Sequence, residues 1–567
     1  MKTLLAFAFA FTALATAAGE PLRVALYCDE GCRGTAVVRW AEILGDSPDT
    51  QLRLVKGADI RAGALADREL LVMPGGAGGP QYAALGDAGA EAVRTFVAKG
   101  GRYFGTCCGM SIALNEEVSF AKRLKMLPLK NIPPFGRGRL DLDVVFTEAG
   151  ARWLGVRPDG WKVRYHNGPV VCPGERVPAC TACETLAVAK GGELDGVPAA
   201  VRATYGSGTM LVFNCHPESY AASRELVVAG IRALTGRSIR LGKPAKRVIQ
   251  GPFPLLVTPY NEDASVDVPV LLKEADYVAG HGVGGVIWPS AGEEQAIAAS
   301  GSYERGLSAL AAEFVAKGYS AKLVAVCSGT NSAQAVAHAR IVERIARDTG
   351  STMAILARPP DDATNQVMIL EHYRQLARVT TLPTIIQTYN GKSPQPSIKT
   401  ILKLIGEFPL NYGYVKEESP ALTVNGRMKE LLSHKEVKGV LSGWGGKGWV
   451  YQGSRIGTSG VISQRPAYAP LFVKVYDRIA AGADASDPAL ADAYTKYLYM
   501  ANLGDIFSKW GDDEMRGPHL YVLQRLGIFR NRLSLVDKGK VEEYEMTEDE
   551  KREVEARMRY CGLDVQE

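Results

Sequence analysis

Leu410-Asn411-Tyr412-Gly413-Tyr414-Val415-Lys416-Glu417-Glu418-Ser419 is an apolar and aromatic run that ends abruptly in a lysine and two carboxylates. It reads as a buried strand delivering an amine to its C-terminal tip, the end at which catalytic groups gather in a parallel barrel. A lysine whose stem is enclosed by apolar neighbours loses solvation of its charged form and becomes a usable nucleophile towards a carbonyl. The same residues would also suit a strand-end lysine in a surface ion pair, so the surrounding chain has to decide.

Outward from that strand the rhythm is regular. Strand-like runs recur at 253–258, 284–288, 322–327, 352–357, 383–388, 411–416, 437–441 and 457–462, with helical patterns such as 268–279, 304–317, 332–348 and 367–378 between them. Eight repeats over about 210 residues predict a (β/α)8 TIM barrel spanning 252–465, with Lys416 closing the sixth strand. Residues 466–567 read as a helical C-terminal extension ending in a charged stretch at 547–557. On the other side, 19–240 alternates short apolar runs with helical patterns, which predicts a three-layer, flavodoxin-like α/β domain with a mostly parallel sheet. The basic, patternless residues 241–251 read as the linker.

Residues 1–18 stand apart: a positive start at Met1-Lys2, an apolar run from Leu4 to Leu14, then Ala15-Thr16-Ala17-Ala18. This pattern predicts a cleaved secretory signal and a periplasmic or secreted protein with no stable membrane span after cleavage. The chain has 567 residues, 46% hydrophobic and 22% charged, and its net charge of +5 is spread along its length. That distribution gives no support for a nucleic-acid partner. Eight of the ten cysteines fall in the first 215 residues, where Cys28-x3-Cys32 and Cys180-x2-Cys183 have zinc-like spacing. Export favours disulfides over metal, and no metal site is expected.

A second chemical signal lies in this half. Gly105-Thr106-Cys107-Cys108-Gly109 follows a strand and precedes a small-residue helix start, the pattern of a Gly-x-Cys-x-Gly nucleophile elbow. Downstream, a strand ends in Cys215-His216-Pro217-Glu218, so His216 can take the Cys107 proton while Glu218 orients the imidazole. Gly75 and Gly76, after an earlier strand, can offer backbone N–H groups as an oxyanion hole.

Residues 250–545 resemble the dihydrodipicolinate synthase/N-acetylneuraminate lyase family of Schiff-base barrels. The likeness rests on four segments in order. Gly251-Pro252-Phe253-Pro254-Leu255-Leu256-Val257-Thr258-Pro259-Tyr260 resembles the family's first strand, and Ser290-Ala291-Gly292-Glu293 its carboxylate-binding turn. Val415-Lys416-Glu417 is similar to the Schiff-base segment, and Gly460-Val461-Ile462-Ser463 to the last strand. The resemblance implies an imine between Lys416 and an α-keto acid, with Ser290, Ala291, Gly292 and Ile462 in contact with substrate. No cofactor beyond the lysine Schiff base is implied, and a homo-oligomer is.

Three departures qualify the likeness. Ungapped alignment from Leu382-Pro383 puts Gln387 where the family has its catalytic tyrosine, with Tyr389 two residues on and of the same parity. Gly391-Lys392 falls where the family often has Gly-Arg for the substrate carboxylate, and the fourth strand ends in Ala357-Arg358-Pro359 without a relay tyrosine. The expectation is an aldolase or lyase acting on a keto acid, such as a sugar-derived one, rather than the lysine-biosynthetic synthase. The alternative is an exported metabolite-binding protein built from two degenerate enzyme folds. Residues 22–235 resemble the class I glutamine amidotransferase-like superfamily, above all the domain at the N-terminus of some biotin–protein ligases, which also carries a run like Tyr165-His166-Asn167-Gly168-Pro169.

Overall fold

The computed structural model describes residues 20–563 except 46, 48, 117–121, 134–137, 242–247, 291–292, 299–300, 390–392, 464, 508–516 and 538. The predicted signal at 1–18, and Ala291, Gly292 and Lys392, therefore lie outside the described residues. The chain divides into two compact units, Met1–Pro244 and Ala245–Glu567.

In the second unit eight short strands run parallel: Gly251–Pro254, Gly285–Trp288, Lys322–Val326, Met353–Ala357, Thr384–Gln387, Tyr414–Glu417, Gly439–Ser442 and Gly460–Ser463. From the second strand on each pairs with the next in sequence, and the last pairs with the first. The ring closes between the first two strands through a parallel bridge, Leu255 to Ile287, with Leu256 N–H donating to the Ile287 carbonyl at 2.9 Å. Because side chains alternate along a strand, each strand feeds two cores. Phe253, Ile287, Val324, Leu356, Ile385, Tyr414, Leu441 and Ile462 fill the barrel interior. The residues of opposite parity, such as Val286, Ile355, Ile386 and Val415, pack outward against the helices.

The helices begin where short polar side chains can satisfy their first N–H groups. Asp267, Asn331, Asn365 and Ser397 accept from the openings of Val268–Gly280, Ser332–Thr349, Gln366–Val379 and Ile398–Glu407. The extension expected to be helical contains helices Pro488–Ala501, Gly517–Arg525 and Glu548–Cys561, and also a hairpin, Leu533–Asp537 with Lys540–Glu543.

The first unit is a three-layer α/β domain whose nine-stranded sheet changes character midway. Thr50–Val55, Leu22–Tyr27, Leu70–Met73, Arg102–Thr106 and Gly208–Phe213 are parallel. Pro198–Tyr205, Cys180–Lys190, Arg139–Phe146 and Trp161–His166 continue the sheet in antiparallel order. The expected mostly parallel sheet thus covers one half only. A two-residue turn at Gly206-Ser207 is too short for a crossover and forces a hairpin there. Helix Gly78–Ala98, broken at Gly86 where φ is 66°, covers one face with Leu85, Val93 and Val97. On the other face Trp40 meets Phe104 edge-on, and Phe104 stacks on Phe213.

Candidate functional site

In the barrel, Tyr414, Lys416 and Glu418 share the inward parity of the sixth strand, so the lysine stem follows Tyr414 up the interior. Lys416 is 3% exposed and Glu418 4%, and Lys416 Nζ lies 2.7 Å from Glu418 Oε1. The other carboxylate oxygen accepts from Gln387 Nε2 at 2.7 Å. Among the described residues Gln387 Oε1 is buried without a hydrogen-bond partner. The neighbouring Glu417 points outward instead, where Thr388 Oγ1 donates to it at 3.1 Å and Arg427 Nε lies 3.3 Å away. One carboxylate of the pair is therefore structural, and the other faces the amine.

The lid over this cluster comes from the loop after the seventh strand. A Cβ on Gly443 would fall 2.2 Å from Glu418 Cγ, so the loop backbone lies directly on the carboxylate side chain. Trp444 Nε1 donates to the Ser419 carbonyl at 3.0 Å. The loop is held from behind by helix Pro488–Ala501: Tyr497 OH donates to the Gly445 carbonyl at 2.5 Å and Tyr494 OH to the Gly446 carbonyl at 2.8 Å. The tyrosines that seat this loop are far off in the chain.

Ser290 backbone N–H donates to Glu293 Oε2 at 3.3 Å, and the same carboxylate accepts from Thr258 Oγ1 at 2.8 Å and Tyr260 OH at 2.5 Å. Glu293 thus ties the turn after the second strand to the loop after the first. Ile462 is buried in the barrel interior. Tyr389 lies beyond the last residue of the strand and is 40% exposed. The strand ends at Gln387, and Thr388 turns its hydroxyl onto the Lys416 carbonyl and Glu417, so strand alternation no longer governs the next residue. Arg358 beyond the fourth strand is paired with Asp361 at 2.8 Å.

In the first unit Cys107 sits at a sharp elbow with φ 52° and ψ −103°, strained for a residue with a Cβ. Gly109 permits the turn, since a Cβ there would lie 2.0 Å from the Met73 carbonyl oxygen. His216 Nδ1 is 2.8 Å from Glu218 Oε1, both side chains being buried, which leaves Nε2 for the sulfur. Burial opposes a charge on His216, but Cys107 and then Glu218 outweigh it and push the imidazole up to about 10. Gly75 lies against the pair: its Cβ would be 2.4 Å from His216 Cε1 and 3.3 Å from Cys107 Cβ. Gly76 packs instead against the Gly31 carbonyl. Cys108 turns into the core towards Gln81 Oε1 at 3.4 Å, where burial raises its thiol far above the usual range. All ten cysteines are free thiols, and among the described residues no cluster of three metal-ligating side chains occurs.

Comparison with known proteins divides the chain the same way. Residues 248–499 match the dihydrodipicolinate synthetase family, and residues 63–128 match the N-terminal part of biotin-protein ligase. A 4-hydroxy-tetrahydrodipicolinate synthase of Methanothrix thermoacetophila is 26% identical over 35% of this chain and 63% of its own length, so the chain spans just under two thirds of it. The enzyme of the same name from Chlorobium phaeovibrioides is 30% identical over 41% of this chain and 76% of that protein. An uncharacterized DapA-like lyase of Thermococcus kodakarensis is 27% identical over 27% of this chain and half of its own length, 50%. Among solved structures, a dihydrodipicolinate synthase from Aquifex aeolicus superposes with a TM-score of 0.45 at 18% identity, over 56% of this chain and 100% of that one.

Proposed function

The chain belongs to the dihydrodipicolinate synthetase family, and from that premise we propose that its barrel is a Schiff-base lyase acting on an α-keto acid, with Glu418 as its acid–base group. The observation that supports this most directly is the buried Lys416–Glu418 contact at 2.7 Å on the catalytic face. The ammonium gives a proton to Glu418, and the free amine adds to the keto carbon. The resulting hydroxyl takes that proton back and leaves as water, forming an iminium ion. With a 4-hydroxy-2-keto acid, Glu418 then accepts the hydroxyl proton, the adjacent C–C bond breaks, and its electrons pass into the iminium to give an enamine. Protonation at carbon and hydrolysis by one water return the amine. Gln387 holds the carboxylate through Nε2, and its unpartnered Oε1 suits a substrate hydroxyl.

This assignment replaces a tyrosine relay with a carboxylate and favours a sugar-derived keto acid over the substrates of the lysine-biosynthetic synthase. The lysine itself supplies the electron sink, so no cofactor is needed, and the barrel acts as a homo-oligomer. Among the described residues no helix is long and apolar enough to cross a membrane. The signal-like residues 1–18 support export to the periplasm or beyond.

In the first unit the proposed chemistry is acyl transfer from an amide. Cys107 sulfur attacks the carbonyl carbon, His216 carries the thiol proton to the departing amine, and water then hydrolyses the thioester. Glu218 fixes the imidazole through Nδ1. Borohydride reduction in the presence of a panel of α-keto acids tests the barrel. A mass adduct on the wild type that is absent from Lys416→Ala is expected. No adduct with any member would favour a metabolite-binding protein instead.

A further inference from the structure

Two guanidiniums at the rim of the thiol site converge on one imidazole. Arg33 Nη1 lies 2.9 Å from His166 Nδ1, and Arg139 Nε lies 3.0 Å from His166 Nε2. A neutral imidazole offers one lone pair and one N–H, so in either tautomer only one of the two arginines can donate to it. Burial first and then Arg33 and Arg139 hold the ring below its usual range, which favours the neutral form. Among the described residues neither arginine has a carboxylate partner, although many other arginines of this unit do, such as Arg164 with Asp141 and Arg202 with Glu184. The rim therefore holds two positive charges around one imidazole acceptor.

This excess is next to the nucleophile. The His166 carbonyl accepts from Cys107 Sγ at 3.4 Å. Arg33 donates its own N–H to the Gly75 carbonyl at 2.8 Å, and Gly75 is the residue packed on His216 and Cys107. A planar fork of N–H donors matches a carboxylate in geometry as well as charge.

We propose that the Cys107 site takes an acyl substrate bearing a carboxylate, which Arg33 and Arg139 bind while His166 holds the two forks apart. This deepens the acyl-transfer reading of the first unit and rests on Cys107 being its nucleophile. The ligand is an amide with a free carboxylate close to the scissile carbonyl, and a neutral amide of the same shape is a poorer substrate.

Iodoacetate and iodoacetamide test this on the full chain, since they differ in carboxylate against amide. Each forms the same S–C bond, expels iodide and leaves the thiol proton to His216. The iodoacetate-to-iodoacetamide rate ratio at Cys107, read by mass spectrometry, is expected to fall about ten-fold in Arg33→Gln/Arg139→Gln. Arg139→Lys, which keeps the charge but loses the fork, should retain only part of it, and salt should erode it in the wild type. The iodoacetamide rate in each variant reports whether the elbow is intact, and the two single variants give the same comparison. An unchanged ratio, with iodoacetamide labelling still dependent on His216, would overturn the anion subsite and leave the thiol reading standing. No labelling of Cys107 by either reagent would overturn both.

Discussion

Lys416 Nζ and Glu418 Oε1 are 2.7 Å apart, two residues along the same chain and both turned into the barrel. Removing one partner of such a buried pair leaves the other charged and unsolvated, at a cost of about 3 kcal/mol. Lys416→Met and Glu418→Leu should therefore each lower stability by about that amount. The double variant should lose clearly less than the sum, because it removes both charges together. Urea midpoints of the four proteins check this, and additive losses would count against a coupled pair.

Activity separates the two residues in another way. Lys416→Ala should abolish the borohydride adduct, whereas Glu418→Gln should still form it slowly. Turnover in Glu418→Gln should fall by about 10² to 10⁴, the usual contribution of a positioned acid–base group. Equal turnover in Glu418→Gln and the wild type would remove Glu418 from the mechanism.

Gly443 has an ordinary φ of −88°, so its role is one of space rather than conformation. A Cβ there would meet Glu418 Cγ at 2.2 Å and the Glu417 carbonyl oxygen at 2.7 Å. Gly443→Ala should displace the carboxylate or the loop, cost about 1–3 kcal/mol, and reduce turnover more than it reduces keto-acid binding. Activity at the wild-type level would show that the loop moves aside freely.

Much of this was legible in the residues. Period-two alternation carries Tyr414, Lys416 and Glu418 to one side of a strand, and the spacing of apolar runs gives each barrel strand to within a few residues. What stayed hidden depends on distant contacts. Which of Glu417 and Glu418 served the amine follows from parity only once Lys416 is known to face inward. The seating of Gly445 by Tyr497 spans 52 residues and has no local signature. The direction of Tyr389 is not set by alternation, because the strand ends at Gln387. In the antiparallel half of the first sheet the Gly206-Ser207 hairpin has a local signal, whereas the pairing of Arg139–Phe146 with Cys180–Lys190 spans intervening strands and has none.

Adjacent thiols in the first unit should behave differently. Cys108 is buried against Gln81, with its thiol raised by burial and then by Cys107, so it should resist alkylation at neutral pH. Cys107, at the elbow beside His216, should carry the label. Cys108→Ala is expected to retain iodoacetamide labelling at this site, and Cys107→Ala to lose it. Labelling that persists in Cys107→Ala would assign reactivity to the wrong thiol.

His216 gives the first unit a pH dependence with a definite sign. Its imidazole is raised from 6.5 to about 10, so the folded chain keeps a proton that the unfolded chain releases in that interval. Stability falls with rising pH wherever the folded state binds more protons, so this contribution is complete below the unfolded value and is lost as pH climbs through the folded one. Hydrogen exchange of strand Gly208–Phe213, which leads into His216, should therefore speed up between about pH 7 and about pH 9.5 beyond the intrinsic rate increase. His216→Gln should be less stable at neutral pH, because Glu218 loses its partner, but its stability should change less across the same window. A wild-type slope no steeper than that of His216→Gln would mean that the imidazole does not hold its proton in the folded site.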